Sequence, residues 1–93
     1  MNADGPISSH VVIYSSPLCG YCEAAVRLLK MKEAVFLEIN VLQNPRSREE
    51  MVKLSGRKTV PQIFIGGQPI GGYTELNELE MTGKLSSLLV EAS

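Results

Sequence analysis

The chain has 93 residues, of which 44% are hydrophobic and 20% are charged, so its length suits a single domain and its composition an ordinary globular fold. No segment approaches the roughly 18 consecutive apolar residues that a membrane-spanning helix needs, which argues against a membrane protein. Nine basic and ten acidic residues give a net charge of −1, and a chain without excess positive charge is a poor candidate for binding nucleic acid.

The first nine residues are predicted to form a flexible leader, because they are polar and include a Gly-Pro pair. A single domain is predicted over residues 10–91. The start of the chain has neither the basic segment nor the apolar segment of a secretory signal, and the chain has only two cysteines. We therefore expect a reducing, cytoplasmic location.

A strand and a helix are predicted at the start of the domain. The apolar run from about His10 to Tyr14 predicts the strand, and Pro17 lies in the break that ends it. The next segment has apolar residues at positions i, i+3, i+4 and i+7, which share one face of an α-helix and are predicted to face the core. These residues are Cys22, Ala25, Val26 and Leu29.

A second strand and a second helix follow. Alternation with period two predicts the strand, and the alternating apolar residues are Val35, Leu37, Ile39 and Val41. In the helix, Asn44 is predicted as the N-cap, Pro45 as the first residue and Gly56 as the stop. Glu49 and Glu50 are expected to complement the positive end of this helix.

A hairpin and a helical segment complete the chain. Gly66-Gly67 stands between two short apolar runs as a two-residue turn, and Pro69 places the last strand at an edge of the sheet. From Tyr73 onward the apolar residues are spaced for helix, with Gly83 as a break, so one or two helices are predicted. The spaced residues are Leu76, Leu79, Met81, Leu85, Leu88 and Leu89.

The order of these elements predicts an α/β fold. A strand, a helix and a second strand normally form a right-handed crossover with parallel strands, and the hairpin adds antiparallel strands. We therefore predict a four-stranded mixed sheet flanked by helices on both faces.

The two cysteines stand three apart, as Cys19-Gly20-Tyr21-Cys22, between the first strand and the first helix. A helix N-terminus offers free amide donors and partial positive charge, so a cysteine there is stabilised as the thiolate that attacks disulfides. The second cysteine, one turn later, is within reach to form a disulfide with the first. The pattern predicts a site for thiol–disulfide exchange.

Two other interpretations of the cysteine pair fit the sequence less well. The pair would supply half of a tetrahedral zinc site, but His10 is the only other soft ligand in the chain. A purely structural disulfide conflicts with a reducing location.

Three motifs together resemble the glutaredoxin family, a branch of the thioredoxin fold. They are the Cys-x-x-Cys pair, Thr59-Val60-Pro61 before the third strand and Gly71-Gly72-Tyr73 after the fourth strand. The resemblance covers about residues 10–91. It implies a thioredoxin-like fold.

The resemblance also implies an activity, the glutathione-dependent reduction of protein–glutathione mixed disulfides and of protein disulfides. Cys19 would be the nucleophile and Cys22 the resolving thiol, with the amides of Tyr21 and Cys22 donating to the Cys19 sulfur. Glutathione would be the co-substrate, and no tightly bound cofactor is expected. The expected partners are glutathione and disulfide-containing or glutathionylated client proteins, and the expected state is a monomer.

A glutathione-binding surface is likewise implied. The Val60-Pro61 peptide bond is expected to be cis, with the Val60 backbone presented to the cysteinyl part of glutathione. The amides of Tyr73 and Thr74 would take the γ-glutamyl carboxylate. The expected glutathione-binding residues are Tyr21, Thr59, Val60, Pro61, Gly72, Tyr73 and Thr74.

The chain departs from the family pattern at two positions. Ser16 stands where many relatives have a lysine, so Arg57 or Lys58 is the candidate partner for the glycyl carboxylate of glutathione. Thr74 stands where relatives often have Asp or Ser, and Glu75 is the candidate charge for the glutathione amino group.

Two alternative functions remain from the sequence. Gly20 stands where proline is more common, and some glutaredoxins with glycine there hold a two-iron two-sulfur cluster in a dimer, ligated by the first cysteine, here Cys19, and by glutathione. The second alternative is a thioredoxin-like reductant that a flavoprotein reductase supplies directly.

Overall fold

The computed structural model describes residues 10–92, so the leader predicted for residues 1–9 lies outside the described residues. Four strands and four helices follow in the predicted order. They are β1 (Val11–Ser15), α1 (Gly20–Met31), β2 (Phe36–Asn40), α2 (Pro45–Ser55), β3 (Gln62–Ile65), β4 (Gln68–Gly71), α3 (Tyr73–Met81) and α4 (Lys84–Ala92). No helix in this part of the chain has the length and apolar character needed to cross a membrane.

The strands form one mixed sheet in the order β2-β1-β3-β4. β1 and β2 are parallel, whereas β3 is antiparallel to both β1 and β4. Gly66 and Gly67 have φ values of 60° and 83°, and a two-residue hairpin loop of this kind requires positive φ at both positions. Pro69 lies in β4, which is an edge strand as predicted.

Helices cover both faces of the sheet, which confirms the predicted architecture. The larger core lies between the sheet and α1, α3 and α4, where Ile13, Ala25, Leu29, Ile63, Leu76 and Leu85 are fully buried. The smaller core lies on the opposite face, where Tyr14, Val41 and Phe64 pack with Met51 of α2. Met51 is the one buried residue of α2, whereas α1 buries four residues.

β2 is confirmed as a strand, but its apolar residues are less covered than period-two alternation predicts. Val35 precedes the strand and is 81% exposed, and Leu37 is 51% exposed. Ile39 packs on the smaller core, while Phe36 packs on the larger one. Because β2 is an edge strand, its side chains have strand neighbours on one side only, and Leu37 stays exposed.

The predicted capping of α2 is only partly correct. Pro45 begins the helix, and Gly56 ends it in the left-handed conformation with φ 75°. The Asn44 side chain makes no capping hydrogen bond, and Glu49 and Glu50 lie beyond the first turn. The Glu50 carboxylate instead accepts a hydrogen bond from the Tyr14 hydroxyl, at 3.1 Å, so its position serves packing between α2 and the sheet.

The C-terminal segment forms two helices that break at Gly83, where φ is 80°. Met81 is 78% exposed, so it is not part of the buried stripe that its spacing predicts. Lys32, the C-cap of α1, bonds Glu80 at 3.0 Å and Ser86 at 2.7 Å, and so ties α1 to both C-terminal helices.

Candidate active site

Cys19 is the N-cap residue of α1, where the helix begins immediately after the loop that follows β1. The Cys22 amide donates a hydrogen bond to the Cys19 sulfur at 3.1 Å. Tyr21 was expected to be a second amide donor, but in the described part of the chain the Cys22 amide alone makes this contact. The Cys19 sulfur is half-buried and lies 4.0 Å from the carbonyl oxygen of Val60.

Cys22 differs from Cys19 in its surroundings. Its side chain is 3% exposed, because it lies on the buried face of α1. Burial, together with the hydrogen bond to Cys19, raises the pKa of Cys22 to about 12. At neutral pH Cys22 is therefore a buried thiol beside a more accessible sulfur, which is the asymmetry that a nucleophile and a resolving thiol require.

This asymmetry predicts selective alkylation. With iodoacetamide between about pH 7 and 9, we expect modification of Cys19 alone, because Cys22 is buried and its pKa is about 12. In the unfolded chain the pKa of a cysteine is about 8.5, below that of folded Cys22. The contribution of Cys22 to the free energy of unfolding is therefore fully present below that pH and is lost as pH rises towards 12. Mass spectrometry of native and urea-unfolded protein checks the labelling, and equal modification of both cysteines in the native protein would contradict the prediction.

A groove of about 240 Å³ lies beside the cysteine pair. It brings together the seven residues expected from the sequence to bind glutathione, which come from three separate segments. The lining residues are Tyr21, Arg57, Thr59, Val60, Pro61, Gln62, Gly72, Tyr73, Thr74 and Glu75. We call this the glutathione-side groove, after the ligand that is expected from the sequence.

One wall of the groove is formed by the segment before β3. The Val60-Pro61 peptide bond is cis, as expected. Gln62 is 1% exposed, and its side-chain amide donates to the Thr59 carbonyl at 3.0 Å and to the Thr59 hydroxyl at 3.2 Å. Gln62 thus holds this segment in place, a role that was not expected from the sequence. The sequence signal for this role is that Gln62 is a polar residue at the start of an otherwise apolar strand.

The opposite wall is the start of α3. The Glu75 carboxylate accepts a hydrogen bond from the Gly72 amide at 2.7 Å and lies 3.5 Å from the Arg57 guanidinium. The Gly72 amide, with further help from the Glu75 amide and Arg57, holds the pKa of Glu75 below its usual range. Glu75 therefore caps α3, whereas the amides of Tyr73 and Thr74 in its first turn have no acceptor among the described residues.

Tyr21 closes the end of the groove nearest the cysteines. Its ring is 68% exposed and stacks on the ring of Tyr73, with 6.2 Å between the ring centroids and 28° between the planes. The two rings connect the loop between the cysteines to the start of α3.

The two candidate cations near Thr59 occupy different places. Arg57 lines the groove, whereas Lys58 lines a separate surface pocket beside α2, and its carbonyl accepts a hydrogen bond from the Arg48 guanidinium at 3.1 Å. Ser16 does not line the glutathione-side groove either. Of the residues considered as substitutes for the missing lysine, the structure brings only Arg57 to the groove.

Comparison with known proteins agrees with this geometry. The Glutaredoxin family profile matches residues 11–70. The chain is 47% identical to glutaredoxin 3 of Escherichia coli strain K12 over 87% of this chain and 98% of that protein. It is 44% identical to a glutaredoxin of Neisseria meningitidis, over 85% of this chain and 94% of that protein.

Solved structures show the same fold. A buckwheat glutaredoxin–glutathione complex superposes with a TM-score of 0.85 at 32% identity, over 91% of this chain and 80% of that one. The solution structure of a glutaredoxin from Brucella melitensis has a TM-score of 0.76 at 50% identity, over 91% of this chain and 94% of that one. The matched segment contains the cysteine pair and the cis proline, and the chain belongs to the glutaredoxin family.

Proposed function

We propose that the protein is a glutathione-dependent thiol–disulfide oxidoreductase that reduces protein–glutathione mixed disulfides and protein disulfides. The observation that carries this proposal is the position of the Cys19 sulfur, which is accessible at the start of α1 and 4.0 Å from the Val60 carbonyl at the edge of the groove. Family membership supports the thiol–disulfide chemistry, and the similarity to a buckwheat glutaredoxin solved in complex with glutathione supports glutathione as the ligand.

In the proposed reaction with a glutathionylated client, the Cys19 thiolate attacks the glutathione sulfur. A Cys19–glutathione disulfide forms, and the client thiolate leaves and takes a proton from solvent. A second glutathione thiolate then attacks the glutathione sulfur on Cys19, which releases oxidised glutathione and regenerates the Cys19 thiolate. No tightly bound cofactor takes part.

With a protein disulfide as substrate, Cys19 first forms a mixed disulfide with the client. Cys22 then attacks the Cys19 sulfur, so that the client leaves with both sulfurs reduced and a Cys19–Cys22 disulfide remains. Two glutathione molecules reduce this disulfide in turn. The burial of Cys22 suits this role, since Cys22 attacks only the neighbouring Cys19 sulfur and never the disulfide of a free client.

Glutathione is proposed to lie in the groove with its cysteinyl part along the backbone of Val60. Its γ-glutamyl carboxylate would bind the amides of Tyr73 and Thr74 at the start of α3, where the helix dipole adds to the attraction. Its glycyl carboxylate would bind Arg57. Clients would then be thiol proteins of a reducing, cytoplasmic setting, and the enzyme would act as a monomer.

The proposal is tested by turnover. Purified protein is supplied with glutathione, a glutathione reductase and a glutathionylated peptide, and the consumption of NADPH is followed. We expect glutathione-dependent turnover. Negligible turnover by protein with two intact thiols would overturn the proposal.

The role of Arg57 gives a matched pair of variants. Arg57→Ala is expected to raise the KM for glutathione about fivefold, because a half-exposed charge pair contributes about 1 kcal/mol. Lys58→Ala removes a neighbouring positive charge that lies outside the groove, so its KM is expected to stay unchanged. Equal effects of the two substitutions would show that general positive charge, and not a contact from Arg57, attracts glutathione.

The iron–sulfur alternative takes one ligand, Cys19, from each of two copies of the chain and the other ligands from glutathione. Within residues 10–92 no three His, Cys, Asp or Glu side chains are grouped as metal ligands, so a cluster held by one copy alone has no site there. This observation does not test a cluster shared by two copies. Visible absorbance and a dimer after anaerobic reconstitution with iron, sulfide and glutathione would favour this alternative.

A further inference from the structure

A second groove opens on another side of the cysteine pair and shares no lining residue with the glutathione-side groove. Its volume is about 380 Å³, and Cys22 of α1 and Glu38 of β2 both line it. Glu38 also lines an adjoining pocket of about 360 Å³ with Ser15 and Ser16. We call the groove that contains Cys22 the resolving-side groove. The proposed function assigns no role to it or to Glu38.

The sheet register explains why Glu38 reaches this groove. Glu38 pairs with Ile13, and Asn40 pairs with Ser15, so Glu38 and Ser15 lie on the same face of the sheet as diagonal neighbours. The Ser15 hydroxyl donates a hydrogen bond to one oxygen of the Glu38 carboxylate, Oε2, at 2.9 Å. Ser15 itself is buried, so the carboxylate is held by a fixed donor while its other oxygen remains available.

The resolving step requires a proton acceptor near Cys22. Cys22 is buried and protonated, yet it must lose its proton to attack the disulfide on Cys19. Burial and the hydrogen bond with Cys19 raise the pKa of Cys22 most, and the negative charge of Glu38 also raises it. Glu38 and Cys22 line the same groove, so the Glu38 charge faces the Cys22 sulfur across it. A Glu38 carboxyl that has taken up the Cys22 proton is neutral, so the transfer leaves no repulsion between the two groups.

We propose that Glu38 accepts the proton of the Cys22 thiol during the resolving step and returns it when the Cys19–Cys22 disulfide is reduced. The inference rests on the proposed function. With glutathione on Cys19, the step breaks the Cys19–glutathione bond and forms the Cys19–Cys22 bond. Glutathione leaves as the thiolate and is protonated by solvent, while the Cys22 proton passes through the groove to the Glu38 carboxylate.

Two other charged residues face the resolving-side groove, Glu23 and Arg27 of α1. Glu23 is the competing proton acceptor. It lacks the buried serine donor that fixes Glu38, and its charge is not among the causes that raise the pKa of Cys22, the largest of which is burial. Glu23→Gln is therefore the matched control for Glu38→Gln.

The test uses single-turnover oxidation. Reduced protein is mixed with oxidised glutathione, quenched with acid and analysed by mass spectrometry, which resolves formation of the Cys19–glutathione adduct and its conversion to the internal disulfide. Glu38→Gln keeps an oxygen that accepts from Ser15, so the first phase is expected to match the native protein. The second phase is expected to slow at least about tenfold at neutral pH.

The pH profile distinguishes proton acceptance from a structural effect. Between about pH 6 and 9, the rate of the second phase in the native protein is expected to vary little with pH, because the Glu38 carboxylate supplies the base. In Glu38→Gln this rate is expected to rise in proportion to the hydroxide concentration. The inference would be overturned if the second phase had the same rate in Glu38→Gln as in the native protein. It would also be overturned if Glu23→Gln slowed the second phase as much as Glu38→Gln.

A different result is expected if the protein does not use glutathione. The Cys19–glutathione adduct would then not form when oxidised glutathione is added, and the first phase would be missing. Bis(2-hydroxyethyl) disulfide loads Cys19 without a glutathione-binding site, so with this probe the second phase still compares Glu38→Gln with the native protein.

Discussion

Cys19→Ser is expected to lower the rate of glutathione-coupled reduction of a glutathionylated peptide by roughly a thousandfold or more. The Cys19 sulfur is the accessible sulfur at the start of α1, and a serine hydroxyl in the same place stays protonated and does not form a disulfide. Cys22→Ser is expected to retain most of the activity, because in the proposed reaction a second glutathione molecule, and not Cys22, attacks the Cys19 adduct. Steady-state rates of the three proteins at one concentration provide the measurement.

The same variants separate the two substrate classes. With a protein disulfide as substrate, Cys22→Ser is expected to stall as a mixed disulfide with the client, which non-reducing electrophoresis detects. Substantial activity of Cys19→Ser on the glutathionylated peptide, or loss of that activity in Cys22→Ser, would show that the roles of the two cysteines are assigned wrongly.

Gly71→Ala is expected to lower the free energy of unfolding by about 2–4 kcal/mol. Gly71 has φ +117°, a conformation that costs other residues about 1–3 kcal/mol. An added Cβ would also lie 2.8 Å from Oε1 of Glu75, so Glu75 must leave the Gly72 amide, and the loss of a helix cap costs about 1 kcal/mol. Urea unfolding followed by circular dichroism provides the measurement.

Gly67→Ala is the matched control for Gly71→Ala. Gly67 also has positive φ, +83°, but a Cβ there would meet nothing within 4 Å. Gly67→Ala is therefore expected to lower the free energy of unfolding by about 1–2 kcal/mol, from the backbone conformation alone. Gly71→Ala is further expected to raise the KM for glutathione, because the displaced Glu75 carboxylate competes for the amides at the start of α3. Equal stability losses and an unchanged KM would contradict the contact between Gly71 and Glu75.

The helices, the hairpin and the cysteine site could be predicted from the sequence, because residues close together in the chain determine each of them. Helical spacing located α1 and its buried face, and two adjacent glycines located the hairpin, because a positive φ at both positions suits few other residues. The motif Cys19 to Cys22 indicated disulfide exchange because a helix start has the same chemistry in every fold.

The remaining features depend on which segments meet in the folded chain. Asn44 looked like a cap, but the turn before α2 leaves its side chain without a capping contact. Glu75 stays the predicted charge for the glutathione amino group, but its cap on α3 and its pairing with Arg57, which lies 18 positions earlier, were not predicted. The exposure of Leu37 follows from the place of β2 at the edge of the sheet, which alternation along one strand does not reveal.

The unequal anchoring of α1 and α2 gives the cysteine pair and Arg57 different mobility. α2 buries one residue, Met51, against the smaller core, whereas α1 buries four and is tied at its far end through Lys32. Local opening of a helix costs less free energy when fewer apolar contacts are lost, so α2 opens more readily than α1. In the proposed reaction Arg57, which follows α2, would therefore adjust to glutathione attached to clients of different shape, while the cysteine pair keeps its geometry.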